Sequence, residues 1–228
     1  MRILVVSDME SRFIWDHFDP DRFRDVEMII SCGDLSAKYL SFLVTMIPSP
    51  LFYVPGNHDK RYETNPPEGC VNVDGRLIVY RGIRIMGLGG CKSPHPCTYE
   101  YSELQMWKRV RRMESQIRRA KGLDLFVTHA PAIGLGDGAD LFHQGFESFR
   151  YIDDVYRPDI HFYGHKHLGE NPKDRRAIYP YHDTVMINGS GYKLIDYIPG
   201  TPLSMPMGNV AFAEIPTPQP PKRFPFPF

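Results

Sequence analysis

No segment of this 228-residue chain stays apolar for long enough to cross a bilayer. The apolar run at residues 3–6 is also shorter than the core of a secretory signal, and acidic residues follow it at once. The chain therefore reads as cytoplasmic, with no membrane partner. An excess of either charge is missing too. Lys+Arg and Asp+Glu each number 27, so the formal net charge is zero. That excludes a protein that coats nucleic acid or anionic lipid by bulk charge and leaves room only for a local patch. The four cysteines, Cys32, Cys70, Cys91 and Cys97, show no Cys-x-x-Cys spacing, and no His pair follows at finger spacing. A structural zinc knuckle is disfavoured and the thiols read as reduced. No internal repeat is visible. The length suits one domain, assigned to residues 1–216, followed by a Pro/Phe-rich tail at 217–228 that cannot form a regular helix or a central strand.

What is present is a series of short strands with polar ends. Residues 3–6 form a β-branched, apolar run that ends in Ser7-Asp8. Residues 26–31 repeat the pattern and end in Cys32-Gly33-Asp34. Ser36 is placed to cap a helix that Pro48 stops. A third strand at 51–54 leads into Pro55-Gly56-Asn57-His58-Asp59. Two antiparallel strands, 77–80 and 83–88, flank Arg81-Gly82. A helix is expected over 102–121, where Leu104, Trp107, Val110, Met113 and Ile117 recur at three- and four-residue steps. A strand at 123–128 ends in His129, a helix follows near 146–156, and a strand at 160–163 ends in Gly164-His165-Lys166-His167. Late strands are expected at 185–188 and 210–213.

Five polar clusters thus each follow a strand: Asp8-Met9-Glu10, Gly33-Asp34, Gly56-Asn57-His58-Asp59, Thr128-His129 and Gly164-His165-Lys166-His167. Strand ends are where an α/β sheet can assemble a site from distant parts of the chain. Carboxylate and imidazole are typical donors for divalent first-row metals. A carboxylate has two oxygens and can bridge two cations, and two cations about 3.5–4 Å apart can clamp a phosphate and activate a hydroxide. His17, His95, His161 and His182 fall outside these blocks or within a strand and read as structural.

In this order the blocks resemble the signature of calcineurin-like metallophosphoesterases, spanning residues 8–167. Asn188-Gly189-Ser190 fits a later block of the same pattern. The resemblance implies an α/β fold, an α/β-β/α sandwich of two mixed sheets flanked by helices. It implies metal-dependent hydrolysis of a phosphate ester, phosphodiester favoured over monoester, by a dinuclear centre with a bridging hydroxide nucleophile. It puts one ion on Asp8, residue 10, Asp34 and His167, and the second on Asp34, Asn57, His129 and His165, with Asp34 as the bridge. His58 then faces the substrate, and Asp59 orients His58 through its other ring nitrogen. The family pattern carries His at residue 10, where this chain has Glu10. An oxygen donor there makes the first site harder and favours Mn²⁺ or Fe²⁺ over Zn²⁺, with Ni²⁺ also open; the alternative is that Glu10 points away and leaves the first site weak or closed by water.

Two further features bear on partners. The Gly-rich loop at 133–145 follows His129 and is expected to rim the pocket, with His143 either reaching substrate phosphate or standing solvated on a surface loop. Lys108, Arg111, Arg112, Arg118 and Arg119 share roughly one stripe of the 102–121 helix, a track for nucleic-acid phosphates or a solvated helix face. The substrate class is a small phosphate ester. The alternatives are a nuclease or nucleotide phosphohydrolase that uses the basic helix, and a non-catalytic protein-binding scaffold. Self-association, or partner docking through the Phe-Pro tail, belongs with the scaffold reading.

Overall fold

A computed structural model describes residues 1–138, 140, 143–167 and 177–200. The tail at 217–228 and the expected strand at 210–213 lie outside the described residues. The strands are β1 Arg2–Ser7, β2 Val26–Ser31, β3 Leu51–Tyr53, β4 Val71–Asn72, β5 Arg76–Tyr80, β6 Ile83–Leu88, β7 Cys91–Lys92, β8 Glu100–Tyr101, β9 Leu125–Thr128, β10 Ile160–Tyr163, β11 Ile178–Tyr181, β12 Thr184–Asn188 and β13 Gly191–Asp196. The α-helices are α1 Arg12–Asp16, α2 Pro20–Phe23, α3 Ala37–Met46, α4 Glu103–Ala120 and α5 Glu147–Tyr156.

These strands build two large mixed sheets, in the orders β13-β1-β2-β3-β4 and β11-β12-β10-β9-β6-β5, with a small β7-β8 pair beside them. Within each large sheet the central strands run parallel, and β13, β5 and β11 are antiparallel edges. Both faces of each sheet are covered, which is why the strands read as continuous apolar runs. Ile3, Val5, Leu125, Val127, Ile160 and Phe162 point into the layer between the sheets. Leu4 and Val6 point outward onto the α3 side. Phe126 points outward onto the α4 and α5 side. Each such side chain contributes about 1.5–3 kcal/mol on burial.

The expected helices form for the expected reasons. The Ser36 hydroxyl accepts from the Tyr39 N–H at 3.1 Å at the start of α3. Ile47 turns extended before Pro48. Ser102 and Gln105 make a reciprocal capping box on α4, which ends on left-handed Lys121 at φ 60°. The buried face of α4 is Met106, Val110, Met113 and Ile117. Leu104, expected on that face, is exposed. It stands about 200° round the helix from Met106, off the apolar stripe. The basic stripe is partly committed, since Arg111 Nη1 donates to Glu114 at 3.2 Å. α1 and α2 are too short to show a period and were not expected. β11 was obscured by Pro180, which an edge strand tolerates. All four cysteines are free. Among the described residues no helix is long and apolar enough to cross a membrane.

The parallel strands end along one edge of the sandwich, where loops stitch the sheets together. Between the sheets, the Gly90 N–H donates to the Pro55 carbonyl at 2.8 Å; within the second sheet, the Gly164 N–H donates to the His129 carbonyl at 2.9 Å and ties the β10 and β9 ends. Ser7 and Ser190 form a bridge between the β1 end and the loop after β12.

Candidate metal centre

Each donor arrives at this edge by a sharp turn out of a strand. Asp8 after β1, Asp34 after β2 and His165 after β10 all have left-handed backbones, at φ 61°, 57° and 65°. For a residue with a β-carbon that conformation costs roughly 1–2 kcal/mol, and such strain collects at functional sites. Packing between the turns is tight. A β-carbon on Gly56 would run into the Asp34 carboxylate and come within 2.7 Å of the His129 ring. One on Gly164 would hit the Ser7 hydroxyl and approach Asp8 Oδ2 to 2.8 Å. Glycine at these two positions lets the loops close on one another.

Asp34, His129 and His165 offer donor atoms that all lie within 4.8 Å of one another, the single such group among the described residues. His129 is fully buried. Its Nδ1 lies 2.8 Å from the Cys32 carbonyl, which can only accept, so Nδ1 carries a hydrogen. Its Nε2 faces Asn57 Oδ1 at 3.0 Å and Asp34 Oδ2 at 3.4 Å. An imidazole lone pair and two oxygens aimed at one point call for a positive charge between them. A divalent cation fits that need, and the carbonyl contact is the usual outer support of a ligating imidazole. Without a cation the ring takes a second proton. Burial opposes this, but the Asp34 carboxylate pushes His129 up to about 9. Burial alone would raise the Asp34 carboxyl, yet His129 and the N–H of His58 hold it down at about 2. Asp8 is pushed up chiefly by burial, and its Oδ2 is buried with no hydrogen-bond partner. An orphaned carboxylate oxygen is a second sign of a place for a cation. Its Oδ1 accepts from the His165 N–H at 2.9 Å.

The other expected site residues divide. The His58 N–H donates to Asp34 Oδ1 at 2.8 Å, and its ring stands out into solvent with 80% of the side chain exposed. His143 comes to the site, its ring 5.2 Å from that of His165 and its Nδ1 2.9 Å from Asp140. His167 is exposed and outside the convergent group. Glu10 departs from expectation. It is exposed, and its Oε1 accepts from the Ser36 N–H at 3.1 Å. The N-terminus of α3 leaves that donor unpaired and attracts a carboxylate, which draws Glu10 off the metal cluster. Asp59 departs as well. Its Oδ2 accepts from the N–H groups of Asp34 and Gly56, both at 2.8 Å, instead of orienting the His58 ring. It fastens two donor loops together, and burial pushes its carboxyl up to about 6.

Two supports stand behind these donors, and only the second, through the Asn188-Gly189-Ser190 block, had a signal in the sequence. The Cys32 carbonyl that sets the His129 tautomer is a backbone group. Asn188 Nδ2 donates to the Lys166 carbonyl at 2.9 Å and so pins the loop between His165 and His167.

Imidazole and carboxylate donors at the strand ends of a two-sheet α/β sandwich define the class of metal-dependent hydrolases. The calcineurin-like phosphoesterase family model matches residues 1–169, and the chain belongs to that family. It is a hydrolase of phosphoesters, and membership implies that the hydrolysis is metal-dependent. Among solved structures, TT1561 of Thermus thermophilus superposes with a TM-score of 0.59 at 16% identity, covering 86% of this chain and 93% of that one. That likeness speaks to the fold alone. An archaeal phosphodiesterase gives 0.38 at 16% identity, covering 86% and 93%, and Vps29 of Chaetomium thermophilum gives 0.39 at 12%, covering 87% and 82%. These two carry no argument here. No curated protein matches the sequence.

Proposed function

We propose that the chain hydrolyses a small phosphodiester with two divalent cations, Mn²⁺ favoured. The observation that carries this is the convergence of Asp34, His129 and His165, with the His129 tautomer fixed by the Cys32 carbonyl. In this reading Asp34, Asn57, His129 and His165 hold one ion, and Asp8, Asp34 and His167 hold the other. Glu10 is left at the helix cap. When bound, the ions supply charge neutralisation for the phosphoryl oxygens and a deprotonated water as the nucleophile.

The chain's own groups do the rest. Asp34, fixed through Oδ1 by the His58 N–H, keeps Oδ2 turned to the imidazoles. His58 has a mostly exposed ring with Nε2 3.9 Å from Asp34 Oδ2, beside the donors, from where it can donate a proton or hydrogen bond to the departing ester oxygen. Asp59 keeps the Asp34 and Asn57 loops in register by holding both backbones. His143, propped by Asp140, lines the rim where substrate phosphate enters. Nearby lysines are tethered, Lys166 Nζ to the Asp137 carbonyl and Lys193 Nζ to the Ser190 carbonyl. The diester is preferred to the monoester on the family resemblance alone.

The test is hydrolysis of bis-p-nitrophenyl phosphate against p-nitrophenyl phosphate by metal-stripped protein, before and after Mn²⁺. Turnover that needs Mn²⁺ and prefers the diester is the expected result. Preference for the monoester overturns the substrate assignment. Absence of turnover with Mn²⁺, Fe²⁺, Zn²⁺ or Ni²⁺ overturns the mechanism.

A further inference from the structure

Behind the site lies a buried polar chain that the chemistry above does not use. Asp153 on α5, His161 on β10 and Thr128 at the end of β9 are all 0% exposed. His161 Nδ1 lies 2.9 Å from Asp153 Oδ2, and His161 Nε2 lies 2.8 Å from Thr128 Oγ1. Thr128 Oγ1 in turn lies 2.6 Å from the Ala130 carbonyl.

Hydrogen counting fixes the direction of this chain. A carbonyl only accepts, so the single hydroxyl hydrogen of Thr128 goes to Ala130. Thr128 Oγ1 must then accept from His161, and Nε2 carries a hydrogen. One further proton sits between Nδ1 and Asp153, whichever atom holds it, so the pair is neutral as a unit. From His161 onward the donors therefore run one way, through Thr128 to the carbonyl of Ala130. The final hydrogen bond, from residue 128 to residue 130, spans His129. The His161 imidazole sits on β10, the strand that delivers His165, with its ring 4.3 Å from that of Phe126 on β9.

We propose that the Asp153–His161–Thr128 relay positions the His129 arm of the metal centre. A fold that needed only a filled core would be served as well by apolar side chains here, since a buried polar group must be matched bond for bond. The relay instead commits three buried polar residues to the one turn whose angle decides where His129 Nε2 points. It rests on the reading of His129 as a ligand.

Thr128→Val deletes the hydroxyl at nearly constant volume, and Thr128→Ser keeps it. The measurement is the affinity of metal-stripped protein for Mn²⁺, and separately for Zn²⁺, by calorimetric titration, beside the Tm of each metal-free variant. Thr128→Val is expected to bind about tenfold or more weakly, the usual scale for loss of an outer support, and Thr128→Ser to recover most of that loss. A purely structural role would lower Tm and leave the affinity where it was, which overturns the proposal. Equal weakening in both variants overturns it as well. Should Thr128→Val not fold, His161→Gln, whose amide can still donate toward Thr128, takes its place. It is expected to bind more tightly than His161→Leu, and equal affinities would sink the relay. Long-range proton–nitrogen NMR gives an independent reading: His161 Nε2 must bear a hydrogen, and a bare Nε2 refutes the relay. If the unaltered protein binds neither metal, the ligand assignment has failed first, and the NMR result alone then decides whether the relay exists.

Discussion

His129 is buried, has one ring nitrogen fixed on a backbone carbonyl, and turns the other toward Asp34 and Asn57. Glu10, assigned by the family pattern to the other half of the proposed centre, is exposed and bonded to the Ser36 N–H. The same contrast holds for the remaining donors. His165 is buried and joins Asp34 and His129 in one convergent group, whereas His167 is exposed and outside it. One half is thus assembled by the fold itself, so an ion entering it meets donors already ordered. The other half offers the free Asp8 Oδ2 and must draw in the rest. Preorganisation of this kind lowers the cost of binding, so the two halves should load in order, the His129 half first.

Asp34→Asn should have the largest effect, because the proposed centre shares that carboxylate between its two ions. Losing it removes several kcal/mol of charge stabilisation, on the order of a 10³-fold or greater fall in kcat. Mn²⁺ binding should fall in both steps of a titration. If only one step weakened, Asp34 would not be the bridge.

His58→Ala cuts across the comparison, since the proposed function gives His58 to the substrate and to neither ion. A proton donor of this kind is worth about 10²–10⁴-fold in rate. Both Mn²⁺ affinities should survive, and the loss should shrink for substrates whose leaving group needs no proton. A matching loss of metal affinity would make His58 a ligand and undo its role.

Glu10 tests the weak half directly. Glu10→His should tighten the second binding step by about tenfold, by supplying an imidazole where the carboxylate is drawn away. Glu10→Ala should leave both steps unchanged and cost only about 1 kcal/mol of stability through the Ser36 contact. If Glu10→Ala weakens the second step as much as loss of a true ligand does, the carboxylate returns to the metal when the ion is present, and the halves are more alike than they look.

The sequence made some of this plain and hid the rest for physical reasons. Strands that deliver donors were legible because both faces of each sheet are covered, so the runs at residues 3–6, 26–31 and 160–163 are apolar throughout. The candidate donors stood out as polar groups at the ends of those runs. Ser36, Ser102 and Pro48 marked helix boundaries through local chemistry. Which way a side chain turns was not legible. Glu10 reads as a donor by position, but its partner is an unpaired N–H of α3, brought beside it only by the folded chain. Asp59 reads as a partner for its neighbour His58, yet it faces inward to two backbone N–H groups. His161 looks like an ordinary strand residue because Asp153 and Thr128 lie eight and thirty-three positions away. The left-handed turns at Asp8, Asp34 and His165 have no composition signal, since none is glycine.

The smallest effect on catalysis should come from a carboxylate far from both halves, and it calibrates the others. Glu114 joins α4 to α5, accepting from the Tyr151 hydroxyl at 2.8 Å, the Tyr156 hydroxyl at 3.1 Å and Arg111 at 3.2 Å. Burial pushes its carboxyl up, but these three donors outweigh burial and hold it below its ordinary value. Its folded pKa therefore lies under the unfolded one, and the stabilisation is fully present above the unfolded value, about 4.3. It is lost as pH falls through the folded value. Glu114→Gln should destabilise the protein by about 1–2 kcal/mol at pH 7, the scale of hydrogen bonds to a charged group. The difference in Tm should close as the pH is taken below the carboxylate range. Mn²⁺ affinity and kcat should stay within about twofold, because surplus stability does not reorient a ligand. If Glu114→Gln weakened metal binding as much as Thr128→Val, loss of stability alone would account for both, and the contrast between a preorganised half and a loose one would lose its structural basis.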